Sequence, residues 1–157
     1  MLHVVLHQPE IPHNTGAVGR LCLATGARLH LIHPLGFSLD DKHLKRAGLD
    51  YWKDVDVHEW PDLEALQASA SPEAQWCYFT TKATQPHWNA DLRGETYLVF
   101  GRETRGLPES LIQQHAPQCW RIPMRDHSTR SLNLSTTVGI VLYEGLRQRV
   151  QAGMPSF

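Results

Sequence analysis

The chain has 157 residues, of which 41% are hydrophobic and 20% are charged, and its formal net charge is −1. This balance is typical of one globular domain, taken as 1–157, and it excludes a disordered chain. No apolar run is long enough to span a bilayer, and the first residues lack the basic segment of a signal peptide. The three scattered cysteines fit a reducing compartment. We therefore expect a cytoplasmic protein with no membrane partner.

Strand-like and helix-like segments alternate along the chain. The predicted strands are rich in apolar, aromatic or β-branched residues and cover 2–7, 28–33, 55–60, 76–81, 96–101 and 119–124. The predicted helices cover 14–25, with Asn14 as N-cap, and then 40–47, 61–69, 108–115 and 134–150. Alternation of this kind predicts an α/β fold with a mostly parallel sheet and helices on both faces.

Charge is distributed unevenly along the sequence. Residues 54–73 contain six acidic residues and no lysine or arginine, whereas 1–53 and 74–157 each carry a basic excess. A locally basic surface can bind a polyanion even when the net charge is near zero, because phosphate contacts depend on the local field. A mixed, solvated surface explains the same pattern, so charge alone leaves both interpretations open.

Three segments of unusual composition, 79–82, 100–108 and 122–133, follow predicted strands, where open parallel sheets bind their ligands. The middle segment places Gly101 and Gly106 around two arginines and a glutamate, and glycines let a ligand approach the backbone closely. A tight turn with a surface ion pair explains it equally well. In the last segment, Ser131 or Asn133 is either a site residue or the N-cap of the final helix.

Two glycines in the first turns of the helix 14–25 need an explanation, because each costs about 1 kcal/mol relative to alanine. Arg20 lies one turn after Gly16 on the same helix face, so its guanidinium extends over the bare glycine toward the helix start, where anions are favoured. This geometry predicts a clamp for a phosphate or hydroxyl group. The alternative is close packing at Gly16 and Gly19, with Arg20 on the surface.

Metal and hydrolase chemistry are poorly supported by the sequence. The ten histidines show no metal-ligand spacing, and the serines lack the glycine pattern of a strained nucleophile turn. We therefore expect no metal and no serine nucleophile.

Taken together, three ordered motifs resemble those of the SPOUT-superfamily RNA 2′-O-ribose methyltransferases. They are Asn14 followed by Arg20, then 100–108 (Phe-Gly-x-Glu-Thr-x-Gly-Leu-Pro), and then 122–124 with 131–135. The opening segment 4–16 and the segment 46–51 (Arg-Ala-Gly-Leu-Asp-Tyr) are similar to the minimal branch that modifies the tRNA wobble nucleotide, the TrmL type. The resemblance covers nearly the whole chain.

The resemblance implies a fold and a cofactor. The C-terminal part of the parallel α/β sheet would pass through a loop and form a trefoil knot. S-adenosyl-L-methionine would bind in that knot, and S-adenosyl-L-homocysteine would be the product. The implied cofactor-binding residues are Phe79, Gly101, Ile122, Met124, Ser131 and Leu132.

The implied activity is S-adenosylmethionine-dependent 2′-O-methylation of the wobble nucleotide, cytidine or modified uridine at position 34, in tRNA anticodon loops. The enzyme would be a homodimer whose first and last helices form the interface. Arg20 would act near the ribose, and the rest of the implied catalytic set is Asn14, Glu103, Ser131 and Asn133. We expect phosphate contacts from Lys82, Arg105, Arg125 and Arg130.

Two alternatives remain. One is a non-catalytic RNA-binding homologue that keeps the knot, and the other is a 2′-O-methyltransferase for another tRNA or rRNA site. The retained Arg20, Ser131 and Asn133 favour an enzyme. Arg102 stands where the family has a small residue, and we interpret it as a tolerated surface change.

Overall fold

The computed structural model of the protein describes residues 1–47, 49–125 and 130–155, with their side chains except at positions 45, 47, 49 and 50. Gly48 and residues 126–129, which belong to segments used in the resemblance, lie outside the described residues. The knot predicted for the C-terminal part is not tested by the described residues, so it stays a prediction.

Six parallel strands form one sheet in the order β3-β2-β1-β5-β4-β6. The strands are β1 Leu2–His7, β2 Arg28–Ile32, β3 Val57–Trp60, β4 Gln75–Phe79, β5 Thr96–Phe100 and β6 Cys119–Trp120. All six predicted strands are confirmed, but the prediction that the last one reaches residue 124 is wrong. Among the described residues its strand neighbour is β4, which ends at Phe79, so the ladder stops where Phe79 pairs with Trp120.

The α-helices are α1 Pro12–Thr25, α2 Lys42–Ala47, α3 Leu63–Ser69, α4 Glu109–Gln114 and α5 Leu134–Gln151. Helix α1 begins at Pro12, because proline fits the first helical position, so the prediction of Asn14 as its N-cap is wrong. It ends at Gly26, whose φ of 73° is the left-handed conformation that glycine favours. A short 3₁₀ helix at Leu49–Asp54 was not predicted. Among the described helices, none combines the length and apolar composition that crossing a bilayer requires.

Both faces of the sheet are buried under helices. Apolar side chains of the strands, such as Val4 and Leu98, pack on one face with residues of α1 and α5. On the other face, Val5 and Val99 pack with residues of α3 and α4. Strands covered on both sides are typical of parallel sheets, and the predicted α/β fold with helices on both faces is confirmed.

Packing explains one of the two unusual glycines in α1. A Cβ atom at Gly19 would lie 2.6 Å from Cζ3 of Trp52, closer than real Cβ contacts allow. The alternative of close packing therefore holds at Gly19, where the Trp52 ring lies directly against the helix backbone.

Buried histidines form a chain of hydrogen bonds across the sheet. Trp60 Nε1–H donates to Nδ1 of His30 at 3.0 Å, so the proton of this imidazole is on Nε2. His30 Nε2–H in turn donates to Nδ1 of His3 at 3.0 Å, and His3 Nε2–H donates to Glu95 Oε1 at 3.1 Å. Both histidines are 3% exposed. Burial, more than any neighbouring charge, lowers the pKa of His30 to about 3.

We expect the free energy of unfolding to decrease as the pH falls below 6.5. The unfolded chain binds a proton at His30 near pH 6.5, whereas the folded protein binds it only near pH 3. The contribution of neutral His30 to the free energy of unfolding is therefore complete above pH 6.5. It is lost as the pH falls toward 3, by about 1.4 kcal/mol per pH unit. Urea unfolding at pH 7.5, 6 and 5 measures it. The variant His30→Gln should show a shallower slope, and an equal slope in both proteins would contradict the prediction.

Candidate active site

A cavity of about 420 Å³ lies at the carboxyl ends of β4 and β5, against the first turns of α1 and α5. A smaller cavity of about 80 Å³ adjoins it and shares Phe79, Leu132 and Thr137 with it. In the sheet, β1 has β2 on one side and β5 on the other, and such switch points are where open α/β sheets bind ligands. The three motifs predicted from sequence meet here.

The residues predicted to bind the cofactor all border these two cavities. Phe79, Ser131 and Leu132 line both, Gly101 lines the larger one, and Ile122 and Met124 line the smaller one. They come from the ends of two strands and from the segment before α5. The structure therefore brings together six residues that are up to 53 positions apart in sequence (79 to 132).

Four of the five predicted catalytic residues also line the larger cavity, namely Asn14, Glu103, Ser131 and Asn133. Arg20 lies outside both cavities in the single chain. It is exposed, and its guanidinium carbon lies 5.6 Å from the centre of the Tyr51 ring, within the range of a cation–π contact. The structure thus brings four of the five predicted residues to the larger cavity and places Arg20 against Tyr51, outside the lining of both cavities.

Glu103 connects the second motif to the start of α1. Its carboxylate accepts hydrogen bonds from the backbone N–H of Ile11 at 2.6 Å and from that of Glu10 at 3.1 Å. In return, the Glu10 carboxylate accepts hydrogen bonds from the backbone N–H and the hydroxyl of Thr104, at 3.1 and 2.7 Å. The carboxylate of each glutamate therefore holds in place the loop that contains the other glutamate.

The pKa shifts of these two carboxyl groups have opposite directions. Burial raises the pKa of Glu103, although the N–H groups of Glu10 and Ile11 act against that shift. The hydrogen bonds from the hydroxyl and then the backbone N–H of Thr104 lower the pKa of Glu10. Because the carboxylate oxygens of Glu103 accept hydrogen bonds from backbone N–H groups just before α1, this carboxylate positions the loop that leads into α1.

Asn133 is the N-cap of α5 and also lines the larger cavity. Its Oδ1 accepts hydrogen bonds from the N–H groups of Ser135 and Thr136, at 2.9 and 3.3 Å, so it is the N-cap of α5. Its Nδ2–H donates to Oδ1 of Asn14 at 3.1 Å. Because Asn14 is 6% exposed and lies inside α1, this hydrogen bond joins the third motif to the first.

The glycines of the second motif allow a tight turn beside the cavity. A Cβ atom at Gly101 would lie 2.1 Å from the carbonyl carbon of Gly106 and 2.2 Å from the nitrogen of Leu107, which no side chain permits. Gly106 has a φ of 68°, a conformation that favours glycine. The Gly106 N–H closes the turn by donating to the carbonyl of Arg102 at 2.9 Å.

Basic side chains border the larger cavity, in part as expected. Lys82, Arg105 and Arg130 line it, whereas Arg125 does not. Lys82 also forms an exposed ion pair with Glu109 at 2.5 Å. Arg102 is half-buried, lines the cavity and donates from Nη2 to Gln8 Oε1 at 2.7 Å, so it is more than a surface change.

Sequence reasoning missed several residues of the site. Glu10 contributes through its hydrogen bonds to Thr104, and the hydroxyl residues Thr80, Thr81 and Thr137 line both cavities. Thr80 and Thr81 lie in the segment after β4 that composition had already singled out, which is the signal that could have found them. Within the described ranges, no three or more His, Cys, Asp or Glu side chains are arranged to hold a metal ion.

The chain is similar to known proteins over most of its length. The profile of the family described as the SpoU rRNA Methylase family matches residues 1–143. A protein of Escherichia coli (strain K12) named tRNA (cytidine(34)-2'-O)-methyltransferase is 48% identical over 149 residues, which are 94% of each chain. The protein of the same name from Aeromonas hydrophila is 47% identical over 154 residues, covering 98% of this chain and 97% of its relative.

Solved structures are similar over nearly the whole chain. One, described as giving structural insights into the 2-OH methylation of C/U34 on tRNA, has 43% sequence identity and a TM-score of 0.91, and the match covers 96% of this chain and 97% of that one. The TrmH/SpoU tRNA modifying enzyme of A. aeolicus has 27% identity and a TM-score of 0.80, covering 98% and 77% of the two chains. From the family profile and these identities, the chain belongs to the SpoU rRNA methylase family.

Proposed function

We propose that this protein transfers a methyl group from S-adenosyl-L-methionine to the 2′-hydroxyl of the wobble nucleotide, cytidine or modified uridine at position 34, in tRNA anticodon loops. The observation that carries the proposal is the convergence of three motifs, distant in sequence, on one cavity of about 420 Å³. The names of the relatives from Escherichia coli and Aeromonas hydrophila support the choice of tRNA and of nucleotide 34.

The two adjoining cavities fit this cofactor in size and chemistry. The larger cavity, of about 420 Å³, is within the range of small-molecule sites, and the smaller one extends it by about 80 Å³. Phe79, Ile122 and Leu132 offer apolar contacts for an adenine ring, while the hydroxyls of Thr80 and Thr137 offer polar ones. When bound, the cofactor supplies a methyl group activated by a sulfonium, and S-adenosyl-L-homocysteine is left after transfer.

A ribose 2′-hydroxyl becomes a good nucleophile only as its proton leaves. Arg20 is a poor base for this step, because a guanidinium group keeps its proton at physiological pH. We assign it two other roles, namely to hold the adjacent phosphate and to stabilise the developing alkoxide. The proton then passes to phosphate or solvent. Asn14, Glu103 and Asn133 keep the start of α1 in place through the hydrogen bonds described above.

The test of this function is incubation with labelled S-adenosylmethionine and total tRNA, followed by nucleoside mass spectrometry. A 2′-O-methyl group at nucleotide 34 is expected. A synthetic anticodon stem-loop with a 2′-deoxy nucleotide at position 34 is the matched control and should take up no label. Methylation elsewhere would favour a different RNA site, and no methylation by a folded, cofactor-binding protein would favour the non-catalytic homologue.

We also propose a homodimer in which α1 and α5 form the interface. Both helices expose large apolar side chains, including Leu23 on α1 and Ile140 and Tyr143 on α5. A second copy on this face covers them, and the RNA site then lies across both subunits.

The double variant Ile140→Asp and Tyr143→Asp should shift the protein from dimer to monomer in analytical ultracentrifugation, because a carboxylate is costly inside an apolar interface. Trp88→Asp is the matched control, since Trp88 is 55% exposed but lies on neither helix. A dimer that persists in the double variant would place the interface elsewhere.

Salt should separate RNA binding from cofactor binding. Lys82, Arg105 and Arg130 border the cavity, so phosphate contacts by these residues release counterions when tRNA binds. Raising KCl from 50 to 200 mM is therefore expected to weaken tRNA binding by about tenfold or more, and cofactor binding hardly at all. Fluorescence anisotropy with labelled tRNA and calorimetry with the cofactor measure the two affinities. Equal salt dependence of both would contradict a basic RNA-binding rim.

A further inference from the structure

A third cavity, of about 370 Å³, lies at the carboxyl ends of β1, β2 and β3, between α3 and α4. No motif of the methyl-transfer site lies in it except for the edge of the second one, at Pro108. Its walls combine apolar residues, such as Ile32 and Leu111, with the polar side chains of His7, Glu64 and Gln114. Its volume is within the range of sites that bind small molecules.

This third cavity adjoins the proposed methyl-transfer site. Gln8 lines the third cavity, Arg102 lines the larger active-site cavity, and the hydrogen bond of 2.7 Å between their side chains forms the wall. Consecutive residues of one loop, Leu107 and Pro108, likewise line opposite cavities. A polynucleotide held at one cavity therefore has its next nucleotides within reach of the other.

His7 is a buried polar residue of this cavity, and one of its two ring nitrogens has no hydrogen-bond partner in the described part of the chain. It is 9% exposed, and its Nδ1 has no hydrogen-bond partner among the described residues. Burial, and then the nearby positive charge of Arg102, lowers the pKa of His7, so the ring is neutral at physiological pH. An unpaired buried polar atom is costly, and a neutral imidazole offers one donor and one acceptor to a ligand.

The charges around the cavity select the kind of ligand. Glu64 has no hydrogen-bond or ion-pair partner among the described residues, whereas Asp62 already accepts a hydrogen bond from the N–H of Ala65 at 2.8 Å. A free carboxylate repels phosphate and accepts hydrogen bonds from an amino group. Apolar walls with a few polar groups suit a flat heterocycle, and unstacked bases of RNA loops are read through such contacts.

We propose that this third cavity binds a nucleobase with an exocyclic amino group, cytosine or adenine, from a loop nucleotide next to the methylated one. The amino group donates to the Glu64 carboxylate, and His7 and Gln114 contact the ring nitrogens or carbonyl. This assignment rests on the proposed function and adds a specificity site to it.

The experiment pairs protein variants with base analogues. The RNAs are anticodon stem-loops in which each loop cytosine or adenine in turn is replaced by 2-pyrimidinone or purine, which lack the amino group. With the wild-type protein, one such replacement should lower kcat/KM by about tenfold, in line with a lost hydrogen bond to a charged group. With Glu64→Gln, the same replacement should have a smaller effect, of about threefold, because a neutral amide oxygen is a weaker acceptor than a carboxylate.

Matched controls separate this cavity from its surroundings. Gln114→Ala should weaken binding of the same stem-loop, whereas the adjacent Gln113→Ala should not. Glu73→Gln removes an acidic residue that is also exposed but lies outside the cavity, and it should leave the base preference unchanged. Stem-loop affinity, measured by fluorescence anisotropy, tests the base-binding site even if no methyl group is transferred. Failure of the proposed methyl transfer can therefore be distinguished from failure of the base-binding proposal. The proposal is overturned if the analogue effects are the same in wild type and Glu64→Gln.

Discussion

Replacing Arg20 by alanine is expected to lower kcat for methyl transfer by about 100-fold or more, the usual effect of removing a donor that stabilises developing negative charge. Affinity for the cofactor should change less than about twofold, because Arg20 lies outside the cavities that hold the predicted cofactor contacts. Single-turnover assays with saturating tRNA, together with calorimetric titration of the cofactor, measure the two quantities. Arg93→Ala, which removes an exposed arginine that forms an ion pair with Asp91, is the control and should be active.

Arg20→Lys distinguishes two roles of the guanidinium. If Arg20 holds a phosphate and stabilises the alkoxide, lysine retains the charge but loses the planar set of donors, so activity should drop across the whole pH range. If instead the side chain removes the proton, lysine should keep the activity and shift the apparent pKa of the pH–rate profile. The second outcome would show that the role proposed above for Arg20 is wrong.

The substitution Gly101→Ala should cause the second large effect, a loss of cofactor binding by about 10- to 100-fold. The added methyl group would lie 2.1 Å from the Gly106 carbonyl carbon, so the turn between Gly101 and Leu107 must open. Overpacking of this kind costs about 1–3 kcal/mol, and here it falls on the backbone that borders the cavity. Calorimetry with S-adenosylmethionine measures the affinity.

Gly94→Ala is the matched control, because a Cβ atom at Gly94 would approach only the Gln75 side chain, at 3.8 Å. It should leave both affinity and stability nearly unchanged. Thermal unfolding of both variants separates a local change at the turn from general destabilisation. Normal cofactor affinity in a folded Gly101→Ala protein would contradict the role of this turn.

The sequence predicted the elements of the fold better than their ends. The strand beginning at Cys119 was placed correctly, but its end depends on where its neighbour β4 stops, and that is a tertiary fact. The start of α1 was set two residues late because Asn14 is a good capping residue, whereas in the structure its side chain is used by Asn133. Local sequence preferences show that a residue such as Asn14 can form side-chain hydrogen bonds. They do not show which partner it has in the folded protein.

The site was predicted in the same uneven way. The motif residues were found because three motifs in this order are specific. The structure brings most of these residues to the two adjoining cavities, whereas Arg20 lies outside both. Glu10 was missed as a site residue because its role exists only through Thr104, 94 positions away. The role of Gly19 likewise depends on Trp52, in a 3₁₀ helix that periodicity did not indicate.

The reciprocal hydrogen bonds of Glu10 and Glu103 have an energetic consequence for the two loops. Since each carboxylate secures the backbone of the opposite loop, a molecule that orders residues 101–108 also orders the first turn of α1, which leads to Arg20. Linkage requires such a coupling to be mutual, so a ligand that binds against α1 and orders its first turn would strengthen binding at residues 101–108 by the same factor.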